Sequence, residues 1–213
     1  MGVAKALEYL HSLGVVHGDV TPVGTSFYIA QDGTVLTKVK QNILVNAKGY
    51  ACLTDFGLSI ITRDKMLLGG EERRARGHSP ICAAPETVRE GTLSKEADMY
   101  CFGLAAIEVR SSGLSPPPSD GSVQIFKGES PWGGITAREI ETKIALSERP
   151  SRPEGAESFG LTAEVWDCLV RCLDPDPGKR TAVSKVLEVL NSAWVPLLTQ
   201  NQNPRKRLQD VEP

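Results

Sequence analysis

The chain has 213 residues, 40% of them hydrophobic and 23% charged, with a formal net charge of −2 at pH 7. That length suits one domain, or one large lobe of a two-lobed protein, with enough apolar material for a real core. The charge balance gives no electrostatic case for nucleic acid or for an anionic membrane. Arg73-Arg74-Ala75-Arg76 and the tail Arg205-Lys206-Arg207 read as solvated loop and tail charges.

In chain order, Val3, Ala6, Leu7 and Leu10 recur at helical spacing and predict a helix over 3–13, stopped by Gly14. Val15-Val16 then makes a short strand leading into His17. Phe27–Ala30 and Thr34–Thr37 around Asp32-Gly33 carry a β-hairpin signal. The apolar runs 43–46 and 50–54, split by Ala47-Lys48-Gly49, carry another. The charged stretch 58–83, with Gly69-Gly70, reads as a long mobile loop. An apolar helix is expected over 95–110, then a loop from Leu114 to Ser122 whose three consecutive prolines exclude helix. Further helices are expected at 136–146, 162–173 and 181–193, and a polar, aperiodic, disordered tail over 199–213. The fold class is therefore mainly α with small β-hairpins.

Five cysteines, an odd number without repeated CxxC spacing, argue against a disulfide framework or a zinc site and for a reducing compartment. The start lacks the apolar core of a signal peptide, and residue 6 is Ala where a myristoylation signal prefers Ser or Thr. No stretch approaches the roughly 18 apolar residues of a membrane span. A soluble, intracellular, cytoplasmic protein is expected.

Six short motifs follow one another: His17-Gly18-Asp19, Asn42-Ile43-Leu44-Val45, Asp55-Phe56-Gly57, Ala84-Pro85-Glu86, Asp98 with Gly103, and Arg180. In this order they resemble the large C-terminal lobe of a eukaryotic protein kinase, of the serine/threonine or tyrosine-kinase-like branches. The resemblance spans most of the chain, so residues 1–198 are expected to form that lobe. It implies ATP- and Mg²⁺-dependent phosphoryl transfer to a protein Ser/Thr hydroxyl, with a protein substrate and no nucleic-acid or membrane partner. Asp19 matches the catalytic aspartate that accepts the substrate hydroxyl's proton. Asn42 and Asp55 match the magnesium and nucleotide ligands, hard oxygen donors that suit this ion. His17, Phe56, Gly57, Glu86, Asp98 and Arg180 match scaffold positions. Glu86 is implied to pair with Arg180, and Asp98 to bond back to the catalytic loop. Thr21 and Ser79 fall on the substrate side, and Ser79-Pro80 points to serine/threonine specificity.

The departures are as informative as the matches. Gly18 stands where the family has Arg, which implies control without a phosphorylated activation loop. Thr21 replaces a lysine that steadies the γ-phosphate. No glycine-rich loop, ATP-anchoring lysine or partnering glutamate precedes Met1, so the small lobe is read as absent and this chain as inactive alone. About twenty residues separate Asp19 from Asn42 where the kinase catalytic loop places four. Removing Val23–Lys40 restores the family spacing. Val-Gly at its start, Leu36-Thr37 and Lys40 can encode a splice donor, branch point and acceptor. A retained short intron, of the compact size common in fungi, is therefore expected over 23–40, against a true inserted hairpin that loops outward at small entropic cost. The alternative function is a non-catalytic, pseudokinase-like interaction module.

Overall fold

Helix α1 (Gly2–Ser12) forms where expected, because Ala4, Leu7 and His11 fall on one stripe that is buried against the rest of the molecule. The computed structural model describes residues 1–21, 26–29, 35–40, 42–45, 51–62, 83–112, 132, 136–152, 157 and 161–200. Most of the expected 58–83 loop, the proline-rich loop from Leu114 and residues 201–213 lie outside these.

Beyond α1, the strand β1 (Val15–Val16) pairs antiparallel with β6 (Ile60–Ile61), so that Val15 faces Ile61 and Val16 faces Ile60. The sequence reading placed β6 inside the long loop. Two isoleucines are too short a run to show a period, and their partner is distant in the chain. The strands β2 (Ser26–Ile29), β3 (Val35–Lys40), β4 (Ile43–Val45) and β5 (Ala51–Leu53) form one antiparallel sheet in the order β2-β3-β4-β5. Both expected hairpins are present in the backbone. They are joined through a β3–β4 ladder with a bulge between Lys38 and Lys40, so they make a single four-stranded sheet.

The helical part contains α2 (Pro85–Glu90), α3 (Lys95–Ser112), α4 (Ala137–Ala145), α5 (Ala163–Cys172), a 3₁₀ turn at Pro177–Lys179 and α6 (Val183–Gln200). The short α2, opened by a proline at its first turn and closed by Gly91, was not anticipated; six residues carry too little periodicity. Helix α4 starts with a capping box: Thr136 accepts from the Glu139 N–H while the Glu139 carboxylate accepts from the Thr136 N–H. Helix α6 runs past its expected end at 193 and through Pro196, making Thr199 and Gln200 helical. A helix already anchored by buried Val186, Leu187, Val189 and Leu190 propagates at little further cost.

Buried α3 is the axis of the core, with Ala97, Met99, Phe102, Leu104, Ala105 and Ile107 all inside. Apolar side chains nearly all round a helix demand neighbours all round, and α3 packs on α1, β1 and α5. Gly103 permits the last contact: a Cβ there would lie 2.9 Å from the Cys172 Cβ and 2.9 Å from Leu173 Cδ2. Burial pushes the Cys172 thiol up to about 12 and raises Cys168 as well, so both act as small core hydrophobes. No helix among the described residues is long and apolar enough to cross a membrane.

Candidate active site

Asp98 organises the site from below. Its side chain, 1% exposed in the first turn of α3, accepts from the His17 N–H at 2.8 Å and the Gly18 N–H at 2.9 Å, one on each carboxylate oxygen. His11 Nε2 of α1 donates to the same carboxylate at 2.9 Å. A buried carboxylate needs such a set of donors to offset its lost hydration. The bonds hold Gly18 at a φ of 79°, and a Cβ there would sit 2.9 Å from the Leu58 carbonyl oxygen. Glycine at this position is thus matched to its backbone conformation.

His17 is fully buried and spans two segments. Its Nδ1 accepts from the Asp19 N–H at 3.3 Å, which leaves Nε2 to donate to the Thr54 carbonyl at 3.2 Å. Its own carbonyl accepts from Ser59 Oγ at 2.9 Å, and its ring lies 5.1 Å from the Phe56 ring.

Asn42 reaches back to Asp19 from the far side of residues 23–40. Its side-chain NH₂ donates to the Asp19 carbonyl at 2.8 Å, to Asp19 Oδ2 at 2.6 Å and to Thr21 Oγ1 at 3.2 Å. Thr21 Oγ1 in turn donates to Asp19 Oδ1. The β4–β5 register, Ile43 opposite Leu53, sets Asn42 beside Thr54, whose N–H donates to the Asn42 carbonyl at 3.0 Å. Asp55 follows, with a φ of 65° that Asp tolerates better than most residues, and its Oδ1 accepts from the Gly57 N–H at 3.2 Å. The structure thus brings His17, Asp19, Thr21 and Asn42 into one bonded group and places exposed Asp55, Phe56 and Gly57 at the next bend. Ser79 lies outside the described residues.

The donor chemistry fits a magnesium nucleotide. With its NH₂ end committed to Asp19, Asn42 has its carbonyl at the opposite end, and Asp55 offers an exposed carboxylate. Among the described residues no cluster of three or more His, Cys, Asp or Glu forms a ready cage. Magnesium is ordinarily held by one or two protein oxygens and completed by phosphate and water.

The second polar centre is structural. Arg180 meets Glu86 in a bidentate pair at 2.6 and 2.7 Å, donates to the Glu96 carbonyl at 2.9 Å and to the Asp174 carbonyl at 2.8 Å, and lies 5.0 Å over the Tyr100 ring. It ties α2 to α3 and the 3₁₀ turn, and burial drives the Tyr100 phenol well above its usual range. Sequence reasoning found Glu86 and Arg180 but missed Tyr100, Thr54, Ser59 and His11. Only His11 left a signal, as a polar residue on the apolar stripe of α1.

The family model described as protein tyrosine and serine/threonine kinase matches residues 28–190. This chain belongs to the protein kinase family. The matched span contains Asn42, Asp55, Glu86, Asp98 and Arg180, and begins within β2, after the His17–Asp19 motif. Among relatives, a "Protein kinase and PP2C-like domain-containing protein" of Arabidopsis thaliana is 25% identical over 90% of this chain and 28% of its own length. "Serine/threonine-protein kinase fray1" of Dictyostelium discoideum is 28% identical over 86% of this chain and 26% of its own. A "Dual serine/threonine and tyrosine protein kinase" of Apis mellifera is 28% identical over 99% of this chain and 17% of its own. The chain thus spans about a quarter or less of the length of these relatives. Protein kinases are transferases that act on protein substrates and in general use ATP and Mg²⁺.

Proposed function

We propose that this chain carries the catalytic large lobe of a protein kinase that transfers the γ-phosphoryl group of ATP to a protein Ser/Thr hydroxyl. The observation that supports this best is the closure of Asn42 on Asp19 across the interrupted loop. Asp19 accepts the acceptor hydroxyl's proton and aims its oxygen; Asn42 and Asp55 hold Mg²⁺ through oxygen. The magnesium nucleotide supplies the phosphoryl group with its charge partly neutralised. Ser79-Pro80 supports Ser/Thr over Tyr acceptors, and a cytoplasmic setting suits a kinase with protein substrates.

The 213 residues supply one wall of the nucleotide cleft. A small lobe bearing a glycine-rich loop and lysine supplies the other, and the isolated chain is inactive. Residues 1–198 are the lobe, 23–40 an insert in it and the stretch beyond α6 its tail. The insert is best explained as a retained intron, and transcripts that keep codons 23–40 in most reads overturn that explanation. One observation favours the pseudokinase-like alternative: β2 and β3 extend the sheet from within the catalytic loop itself.

The test is a chimera in which the small lobe of a kinase relative precedes Met1, assayed with Mg·ATP and a mixture of Ser, Thr and Tyr peptides. Label on Ser or Thr that disappears with Asp19→Asn is expected. A folded chimera that labels no better than its Asp19→Asn control overturns the enzyme reading and leaves the interaction module.

A further inference from the structure

Thr21 was assigned to the substrate side because the family places a phosphate-steadying lysine there. Its position argues for another role. The side chain is 1% exposed, and the bonds described for its hydroxyl run to Asp19 and Asn42. We propose that Thr21 is a positioning residue that fixes the orientation of the Asp19 carboxylate. The catalytic meaning of that role rests on the kinase reading above; the clamp itself does not.

The proton inventory makes the case. A hydroxyl has one proton and two lone pairs. The proton goes to the nearer acceptor, Asp19 Oδ1, in preference to the Asp19 carbonyl at 3.2 Å. Asn42 Nδ2 gives its two protons to Asp19 Oδ2 at 2.6 Å and to the Asp19 carbonyl at 2.8 Å, with Thr21 Oγ1 at 3.2 Å as the weaker, shared acceptor. Each carboxylate oxygen of Asp19 therefore receives its own donor, Oδ1 from Thr21 and Oδ2 from Asn42. With Asn42 alone the carboxylate is free to swivel about one contact. With both donors its plane is set, which matters in a reaction where an ångström of misplacement costs about a hundredfold. Lysine has three donors and no acceptor, so it competes with Asn42 for Asp19 and offers the Asn42 Nδ2 group nothing to share. These bonds also join the residues on either side of 23–40.

The test reads the clamp without turnover, by NMR hydrogen exchange of the Asn42 side-chain NH₂ in the labelled 213-residue chain. Loss of a hydrogen bond to a charged group corresponds to roughly tenfold to hundredfold in an equilibrium. Thr21→Val is expected to speed Asn42 NH₂ exchange by at least about tenfold. Thr21→Ser is expected to restore it to within about twofold, and Thr21→Lys not to restore it. The backbone amides of His17 and Gly18, held by Asp98, report that each variant is folded. If Thr21→Val fails that check, Thr21→Ala is read in its place. Asn42 exchange unchanged by the loss of the hydroxyl, or protected equally by Lys, overturns the clamp. In the chimera, Thr21→Val is expected to lower kcat by about tenfold or more with the KM for ATP within about twofold. Equal effects on both overturn the positioning role. A chimera without any transfer, beside an intact exchange result, overturns only the kinase reading.

Discussion

The two ends of the segment from His17 to Asn42 are held in different ways. At the His17–Gly18 end, a carboxylate from α3 grips main-chain N–H groups, so the backbone itself is fixed. At the Thr21–Asn42 end, side chains grip one another, and Asn42 owes its place to the β4–β5 ladder. The contrast shows how Asp19 and Asn42 meet although they lie far apart in the chain. Each half is anchored to its own element, one to a core helix and the other to a sheet.

That comparison can be broken at several points. The largest effect is expected for Asp98→Ala, which strands the His17 and Gly18 N–H groups and His11 Nε2. At about 1–3 kcal/mol for each unsatisfied donor, a loss of roughly 3–9 kcal/mol should appear in denaturant melts. The amides of His17 and Gly18 should lose exchange protection while those of Ile43 and Leu53 keep theirs. Equal loss at both ends would show that the halves are not independent. Next comes Gly18→Ala, which forces a Cβ into the left-handed region and toward the Leu58 carbonyl. It should cost about 1–2 kcal/mol for the conformation alone, visible as a lower melting temperature.

Deleting residues 23–40 should change stability by no more than about 1.5 kcal/mol, the closure entropy gained on shortening the connection, which the lost β3–β4 ladder opposes. The Asn42 NH₂ should stay protected in the shortened chain; if it loses protection, the insert is part of the site. The smallest effect belongs to a control far from the loop. Glu139 carries a carboxyl pKa held below its usual value by the Thr136 N–H first and the Thr136 hydroxyl second. Its stabilising contribution is therefore present above the unfolded carboxylate's pKa, about 4.3, and is lost as pH falls through the lower folded value. Melts of the wild type and Glu139→Gln should converge in acid and separate slightly at neutral pH, with exchange at both ends of the loop unaffected.

Legibility followed the kind of signal each residue leaves. Helices α1, α3, α4 and α5 were readable within a residue or two, because a buried stripe of several turns repeats often enough to show. The strand β6 and the short helix α2 were not, since each is shorter than the period that would betray it. The motif residues were readable as a set, and Glu86 with Arg180 and Asp98 with the loop backbone meet as the resemblance implied. For Thr21 the motif gave a position but no direction, and in the structure its buried hydroxyl turns toward Asp19.

By itself the sequence determined the family and the order of the chemical groups, because motif spacing and hydrophobic period are local properties of the chain. Only the tertiary structure decided whether Asp19 and Asn42 still meet, which partner holds each half of the loop, and where Thr21 points. Those are contacts between residues far apart in sequence. They depend on how α3 and the β4–β5 ladder pack together, and no local pattern encodes that.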